Sequence, residues 1–161
     1  MFTAVLPPRE VVEELYRLLD PRRDADSSLR WTRPDGWHVT TAFMASVDRY
    51  RLDALEENLA EVAARAAPFP LALAGGVTFP DPVKARVLAL AVGTGQEALG
   101  ALAAASRTAA TRAGVEVDAE GAGAGDGPGD ASQLGARAVL RGLDGVGVRA
   151  DGLKLRCVNK I

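Results

Sequence analysis

Hydrophobic residues recur along the chain in two periods, one typical of helices and one typical of strands. Three stretches carry an apolar residue every three or four positions, as the core-facing stripe of a helix does. The predicted helices are PREVVEELYRLLD (8–20), RLDALEENLAEVAARAA (51–67) and GQEALGALAAASRTAATRAG (95–114). We expect Asp20-Pro21 to end the first helix and Gly114 to cap the third.

Short stretches rich in β-branched residues predict strands between and after these helices. They are FTAVLP (2–7), HVTTAFM (38–44), FPLALAGGVTFP (69–80), ARVLALAV (85–92) and DGLKLRCV (151–158). Strict alternation along the second strand would place His38 and Thr40 on one face. Thr41 and Phe43 would then point to the opposite face.

The order of elements stops at a glycine-rich stretch, EGAGAGDGPGDAS (120–132). This stretch has no apolar period, and ordering its glycines costs entropy that no buried side chain offsets. We therefore expect residues 118–135 to be flexible.

Composition narrows the function classes. The 161 residues carry a formal charge of −2, so any contact with nucleic acid must come from a local cluster of arginines. The single cysteine, Cys157, excludes an intrachain disulfide and favours a cytoplasmic protein. The chain has no signal-peptide pattern and no long apolar run, so we expect no membrane partner.

The only histidine, His38, stands two residues before Thr40. On a strand these two side chains share a face, where an imidazole and a hydroxyl can converge on one small anion. Two such pairs facing each other would supply an acid and a base to a phosphodiester without a metal. One pair alone equally describes a half-buried, hydrogen-bonded histidine. A metal site is not expected, because this histidine and Cys157 are far apart in sequence.

The flanks of this pair resemble a known family. FTAVLPP, LRWTRPDGWHVTTAFM, PFPLALAGG and ARVLALAV stand in the order found in the two-histidine phosphoesterases, the RNA 2',3'-cyclic phosphodiesterases or 2'-5' RNA ligases. The resemblance covers about residues 2–117.

This resemblance implies an α+β fold with two lobes of antiparallel sheet, outer helices and a central cleft, formed by residues 1–161 as a single domain. It implies hydrolysis of RNA 2',3'-cyclic phosphodiesters to 2'-phosphomonoesters, with no cofactor and no metal. His38 would protonate the leaving oxygen and Thr40 would hold a phosphate oxygen. The expected partner is an RNA 3'-end or a small cyclic nucleotide, bound by a monomer.

The chain departs from the family in lacking a second histidine and hence a second H-x-T motif. The second lobe is therefore expected to be degraded. Aligning SQLGAR with the family's second motif places Arg137 on the arginine near the phosphate. Trp31 could stack a base or cover the lobe interface, and Arg33 could face the phosphate. Three functions stay open: an impaired phosphodiesterase, an inactive module that binds a nucleotide or RNA end, and a decayed family member.

Overall fold

The computed structural model describes residues 1–25, 31–79, 83, 87–118 and 154–158. In chain order the helices and strands are β1 (Phe2–Leu6), α1 (Arg9–Ala25), β2 (Val39–Phe43), α2 (Leu52–Arg65), β3 (Leu73–Phe79), β4 (Val87–Val92), α3 (Gln96–Arg112) and β5 (Lys154–Val158). Arg137 and the glycine-rich stretch 120–132 lie outside the described residues, as does all but Asp118 of the segment 118–135 predicted to be flexible. No helix within the described ranges is long and apolar enough to span a bilayer.

The described strands form two antiparallel sheets. β1 lies between β2 and β5 in the first sheet, and β3 pairs with β4 in the second. The helices pack against these sheets, which confirms the expected α+β class with two lobes. The predicted helices and strands are all present, with ends shifted by a few residues.

Two clusters of buried side chains hold the sheets and helices together. The larger joins α1, both sheets and the first half of α3 through Val5, Val11, Leu15, Leu19, Trp37, Val39, Leu71, Ala89, Leu90, Val92 and Leu99. The smaller lies where α2 meets α3 and the end of β2, and comprises Met44, Leu55, Leu59, Ala109, Ala110 and Val115. Fully burying each of the larger aliphatic side chains contributes about 1.5–3 kcal/mol. Because Val39 belongs to the larger cluster and Met44 to the smaller, β2 is held in a buried cluster at each of its ends.

The first helix does not end at Asp20-Pro21, so that prediction was wrong. α1 continues through Pro21 to Ala25. A proline within a helix removes one backbone hydrogen bond, which tertiary contacts can offset. Here Leu19 is buried just before the proline. The guanidinium of Arg23, after the proline, lies 5.3 Å from the centre of the ring of Tyr16, before it. Packing on both sides of Pro21 thus favours the longer helix.

The third helix ends at Gly114, as predicted. The amide of Gly114 donates to the carbonyl of Thr111, and the amide of Val115 donates to that of Ala110. This pair of bonds defines a Schellman cap, and the glycine has the positive φ of 73° that the cap requires. The buried Val115 side chain then fastens the chain to the smaller core cluster.

Two glycines, one inside α3 and one just after its end, should respond oppositely to alanine. Gly114→Ala should lower the free energy of unfolding by about 1–2 kcal/mol, because a Cβ is unfavourable at positive φ. The added Cβ would also clash with Nη1 of Arg51. Gly100, inside α3, has no neighbour within 4 Å of an added Cβ, so Gly100→Ala should stabilise the protein by roughly 0.5–1 kcal/mol. Urea unfolding of both variants measures this, and equal effects would contradict the assigned cap.

Candidate active site

A β-bulge at Thr41 shapes the strand that carries the sequence motif. Thr3 pairs with Ala42 and Ala4 pairs with Thr40, so the pairing of β1 with β2 skips Thr41. A bulge places two successive residues against one on the partner strand and breaks the alternation of side chains.

The bulge divides the strand into a buried face and a half-exposed face. The rings of His38 and Phe43 both contact the ring of Phe2, with centroids 4.8 and 5.9 Å away, so the two residues project to the same side. Thr40 is half-buried like them, whereas Thr41 and its neighbour Ala42 are buried. The predicted alternation is therefore correct for His38 and Thr40. It is wrong for Phe43, because the extra residue turns the strand by one position.

Polar contacts fix the bulge from the buried side. The hydroxyls of Thr3 and Thr41 are 2.7 Å apart, and both residues are almost fully buried. Nη1 of Arg107, on α3, donates to the carbonyl of Thr41 at 3.5 Å. Since a buried hydroxyl without a partner is costly, this pair favours the bulged register over a regular one.

His38 is oriented by a backbone carbonyl and an aromatic ring. Its Nδ1 lies 2.7 Å from the carbonyl oxygen of Gly36, in the 3₁₀ turn Pro34–Gly36. A carbonyl only accepts, so Nδ1 carries a hydrogen and donates it. The ring of Phe2 stacks on the imidazole with an interplanar angle of 25°. These two contacts define the tautomer and the plane of the ring.

With Nδ1 occupied, Nε2 is the nitrogen left for chemistry. In the neutral imidazole it has a lone pair and can accept a proton, and in the imidazolium it can donate one. The Gly36 carbonyl accepts the Nδ1 hydrogen in both states. Thr40, which is partly buried on the same face, adds a hydroxyl that can donate to an oxygen of an anion.

The two tryptophans that flank the motif differ in their surroundings. Trp37 is buried in the larger core cluster, and its indole NH donates to the carbonyl of Thr32 at 3.1 Å. It is a structural residue. Trp31 is partly buried and packs against the same cluster, and its indole nitrogen is buried with no hydrogen-bond partner. Its predicted role in binding substrate stays a prediction.

The predicted arginines are not brought to His38 by any described contact. Arg33 is largely exposed, and its Nε lies 3.6 Å from Asp35, three residues before the histidine. Arg137 lies outside the described residues. Nothing in the sequence pointed to Phe2 or Gly36. Phe2 contacts His38 from a strand distant in sequence, and Gly36 contacts it through its backbone carbonyl.

The chain carries the sequence pattern of a known family. The model of the LigT-like phosphoesterases matches residues 5–89, which include the whole motif strand. The chain belongs to the LigT-like phosphoesterase family.

Similarity to individual proteins supports this assignment. An RNA 2',3'-cyclic phosphodiesterase of Geobacillus stearothermophilus is 42% identical over 67 residues, which cover 40% of this chain. That stretch is 21% of the relative, so the match spans about a fifth of its length. Crystal structures of E. coli LigT complexed with ATP and with NADP+ are each 22% identical to this chain, with TM-scores of 0.59 and 0.60. Each alignment covers 96% of this chain and 84% of LigT. At that identity they show a common fold.

No three metal-binding side chains converge within the part of the chain that the structure describes. The expectation that the protein works without a metal stays a prediction.

The hydrogen bond to Gly36 predicts the tautomer of His38. Because this is the only histidine, one pair of ¹⁵N imidazole signals reports on it. At alkaline pH the folded protein should show predominantly the Nδ1–H form, since the carbonyl can only accept. The same sample unfolded in urea lacks this contact and should show a mixture of the Nδ1–H and Nε2–H tautomers. A folded protein with predominantly the Nε2–H form would contradict the assigned geometry.

Proposed function

We propose that the chain hydrolyses RNA 2',3'-cyclic phosphodiesters to 2'-phosphomonoesters, slowly and without a metal, using His38 and Thr40. The observation that carries this proposal is the arrangement of the two side chains. His38 directly precedes β2 and shares the partly buried face of Thr40, and the Gly36 carbonyl occupies Nδ1 of the histidine and leaves Nε2 for the substrate. Membership of a phosphoesterase family supports phosphate ester chemistry at this face.

The reaction defines the role of each group. Water attacks phosphorus, the bond from phosphorus to O3' breaks, and the 2'-phosphate and a 3'-hydroxyl are formed. One proton leaves the attacking water and one is delivered to O3'. The imidazolium of His38 delivers the second proton from Nε2, while the Gly36 carbonyl accepts from Nδ1. The Thr40 hydroxyl donates to a non-bridging phosphate oxygen.

The first proton has no assigned acceptor. The chain has one histidine, so no second imidazole can activate the water. Positioned acid–base groups typically contribute about 10²–10⁴-fold to a rate. Hydroxide from solvent then performs the attack, and we propose that turnover is slower by about that factor than with a complete pair.

Known relatives favour a nucleotide or RNA substrate. The Geobacillus relative is named for the cyclic phosphodiesterase reaction, and its alignment covers 40% of this chain. Besides ATP and NADP+, E. coli LigT has been crystallised with 3'-AMP. We propose that this chain likewise accepts a small cyclic nucleotide or an RNA 3'-end.

A pH–rate series on a 2',3'-cyclic nucleotide tests the proposed division of roles. With hydroxide as nucleophile and imidazolium as acid, the rate should rise with pH and then level off, because hydroxide increases as imidazolium decreases. A matched acid–base pair would give a bell that falls again at high pH. His38→Ala should lose about 10²-fold or more. A chelator should have no effect.

Variants of the neighbouring threonine provide the matched control. Thr40→Ser keeps a hydroxyl and should retain most activity, whereas Thr40→Val should lose it with little change in stability. A bell-shaped profile, or activity that persists in His38→Ala, would contradict the roles. If the protein binds a nucleoside 2'-phosphate in a His38-dependent way but hydrolyses no cyclic nucleotide, the alternative of a binding module without catalysis is correct instead.

A further inference from the structure

An open groove lies between α2, α3 and the segment that follows α2. Its volume is about 480 Å³, which is in the range of pockets that hold small molecules. We call it the α2–α3 groove. Its apolar lining includes Val62, Phe69, Ala98, Ala101, Leu102 and Ala105. Neither His38 nor Thr40 lines it, so it is separate from the site described above.

The alanines of α3 explain why a groove forms here. Ala98, Ala101 and Ala105 recur every three or four positions, so they lie on one face of the helix. A single methyl group is too short to fill the space between α3 and the segment that follows α2. The sequence of α3 therefore gives the groove a smooth, apolar floor.

The walls of the groove lie between the two core clusters. Val62 packs against the smaller cluster, whereas Phe69 and Leu102 pack against the larger one. All three side chains are only partly buried. Covering them with an apolar group removes their surface from water, which is favourable.

The charged residues of the groove lie together at one end. Nη2 of Arg65 and Nη1 of Arg112 lie 3.6 and 3.8 Å from the same oxygen, Oε2 of Glu61. Both distances exceed those of hydrogen bonds, so the two guanidiniums keep their donors for another acceptor. Two cations and one carboxylate give this end of the groove a net charge of about +1.

The apolar floor extends from the charged end along α3. Arg112 is the last residue of α3, about two turns beyond Ala105. From Ala105 back to Ala98 the helix rises by roughly 10 Å. The groove is therefore long, apolar along its floor and cationic at one end.

We propose that the α2–α3 groove binds a small amphipathic monocarboxylate. Its head group contacts Arg65 and Arg112, whose planar guanidiniums match the two oxygens of a carboxylate. Its apolar tail, about 10 Å long, lies along the alanines of α3. One negative charge complements the net charge of the groove. This proposal does not depend on the proposed function.

The two arginines also have a simpler role to be distinguished. Arg65 is in the last turn of α2 and Arg112 in the last turn of α3, where a cation interacts favourably with the helix dipole. That role predicts that removing them lowers stability and leaves the choice of ligand unchanged.

Binding of octanoate to the ¹⁵N-labelled full chain tests the fit of the tail. Octanoate should shift amide signals within residues 62–69 and 98–105, and acetate, which has the head group alone, should not. Ala105→Leu should weaken octanoate binding about 10-fold or more, because the larger side chain fills the groove. Ala104→Leu adds the same side chain at an exposed position of α3 outside the groove and should bind like the wild type.

Reversing the charge of the groove tests the head group. Arg65→Gln combined with Arg112→Gln leaves Glu61 alone and changes the net charge from about +1 to about −1. The wild type should prefer octanoate to octylammonium, and this double variant should prefer octylammonium. Arg9→Gln combined with Arg17→Gln removes two exposed arginines of α1 and should keep the preference of the wild type.

Each other outcome overturns the proposal. Octanoate that binds Ala105→Leu as tightly as Ala104→Leu does not lie in the groove, and a preference that does not reverse rules out the arginines as its partners. Absence of octanoate binding to the wild type refutes the site outright. If sedimentation shows a dimer that Ala105→Leu dissociates, the groove is an interface between two copies of the chain. Urea unfolding of each variant separates lost binding from lost folding.

Discussion

The geometry of the site depends on the bulge at Thr41 and on the buried hydroxyl pair that fixes it. Without the extra residue, β2 would alternate regularly and Phe43 would leave the half-exposed face. With it, Phe2 packs against both His38 and Phe43, and the buried face keeps Thr41 and Ala42. The 2.7 Å contact of Thr3 with Thr41 links this local irregularity to the neighbouring strand. A packing constraint on the face of Thr41 thus determines which side chains lie on the face of His38 and Thr40.

The other face of the strand carries the two side chains to which we assign the proposed proton transfer and phosphate contact. His38 has its tautomer set by Gly36 and its plane set by Phe2, and Thr40 stands beside it on the same face. The missing part of an acid–base pair is chemical: no second imidazole exists in the chain. In the proposed function, an oriented histidine beside a threonine hydroxyl explains how a family member with one histidine retains its substrate and a slow reaction. They equally define a binding site.

Much of the fold could be predicted because it depends on short-range patterns. The three-to-four spacing of leucines in α2 and the requirement for a glycine at positive φ after α3 are both visible in the sequence. The pair His38 and Thr40 could be found for the same reason, since residues two positions apart on a strand share a face unless a bulge lies between them. The bulge itself could not be predicted, because the residue types around Thr41 are the same as those of a regular strand. The course of α1 beyond Pro21 and the stack of Phe2 on His38 depend on contacts between distant positions. The pairing of β1 with β5 joins strands more than a hundred residues apart in sequence, which no local pattern contains.

A double-mutant cycle on Thr3 and Thr41 tests the constraint most directly. Thr3→Val and Thr41→Val should each lower the free energy of unfolding by about 1–3 kcal/mol, because each leaves one buried hydroxyl without its partner. The double variant should cost less than the sum of the two by at least about 0.5 kcal/mol, since it removes the unpaired group along with the bond. Strictly additive effects in urea unfolding would show that the two hydroxyls do not hold the bulge, and the account of how His38 and Thr40 are presented would be wrong.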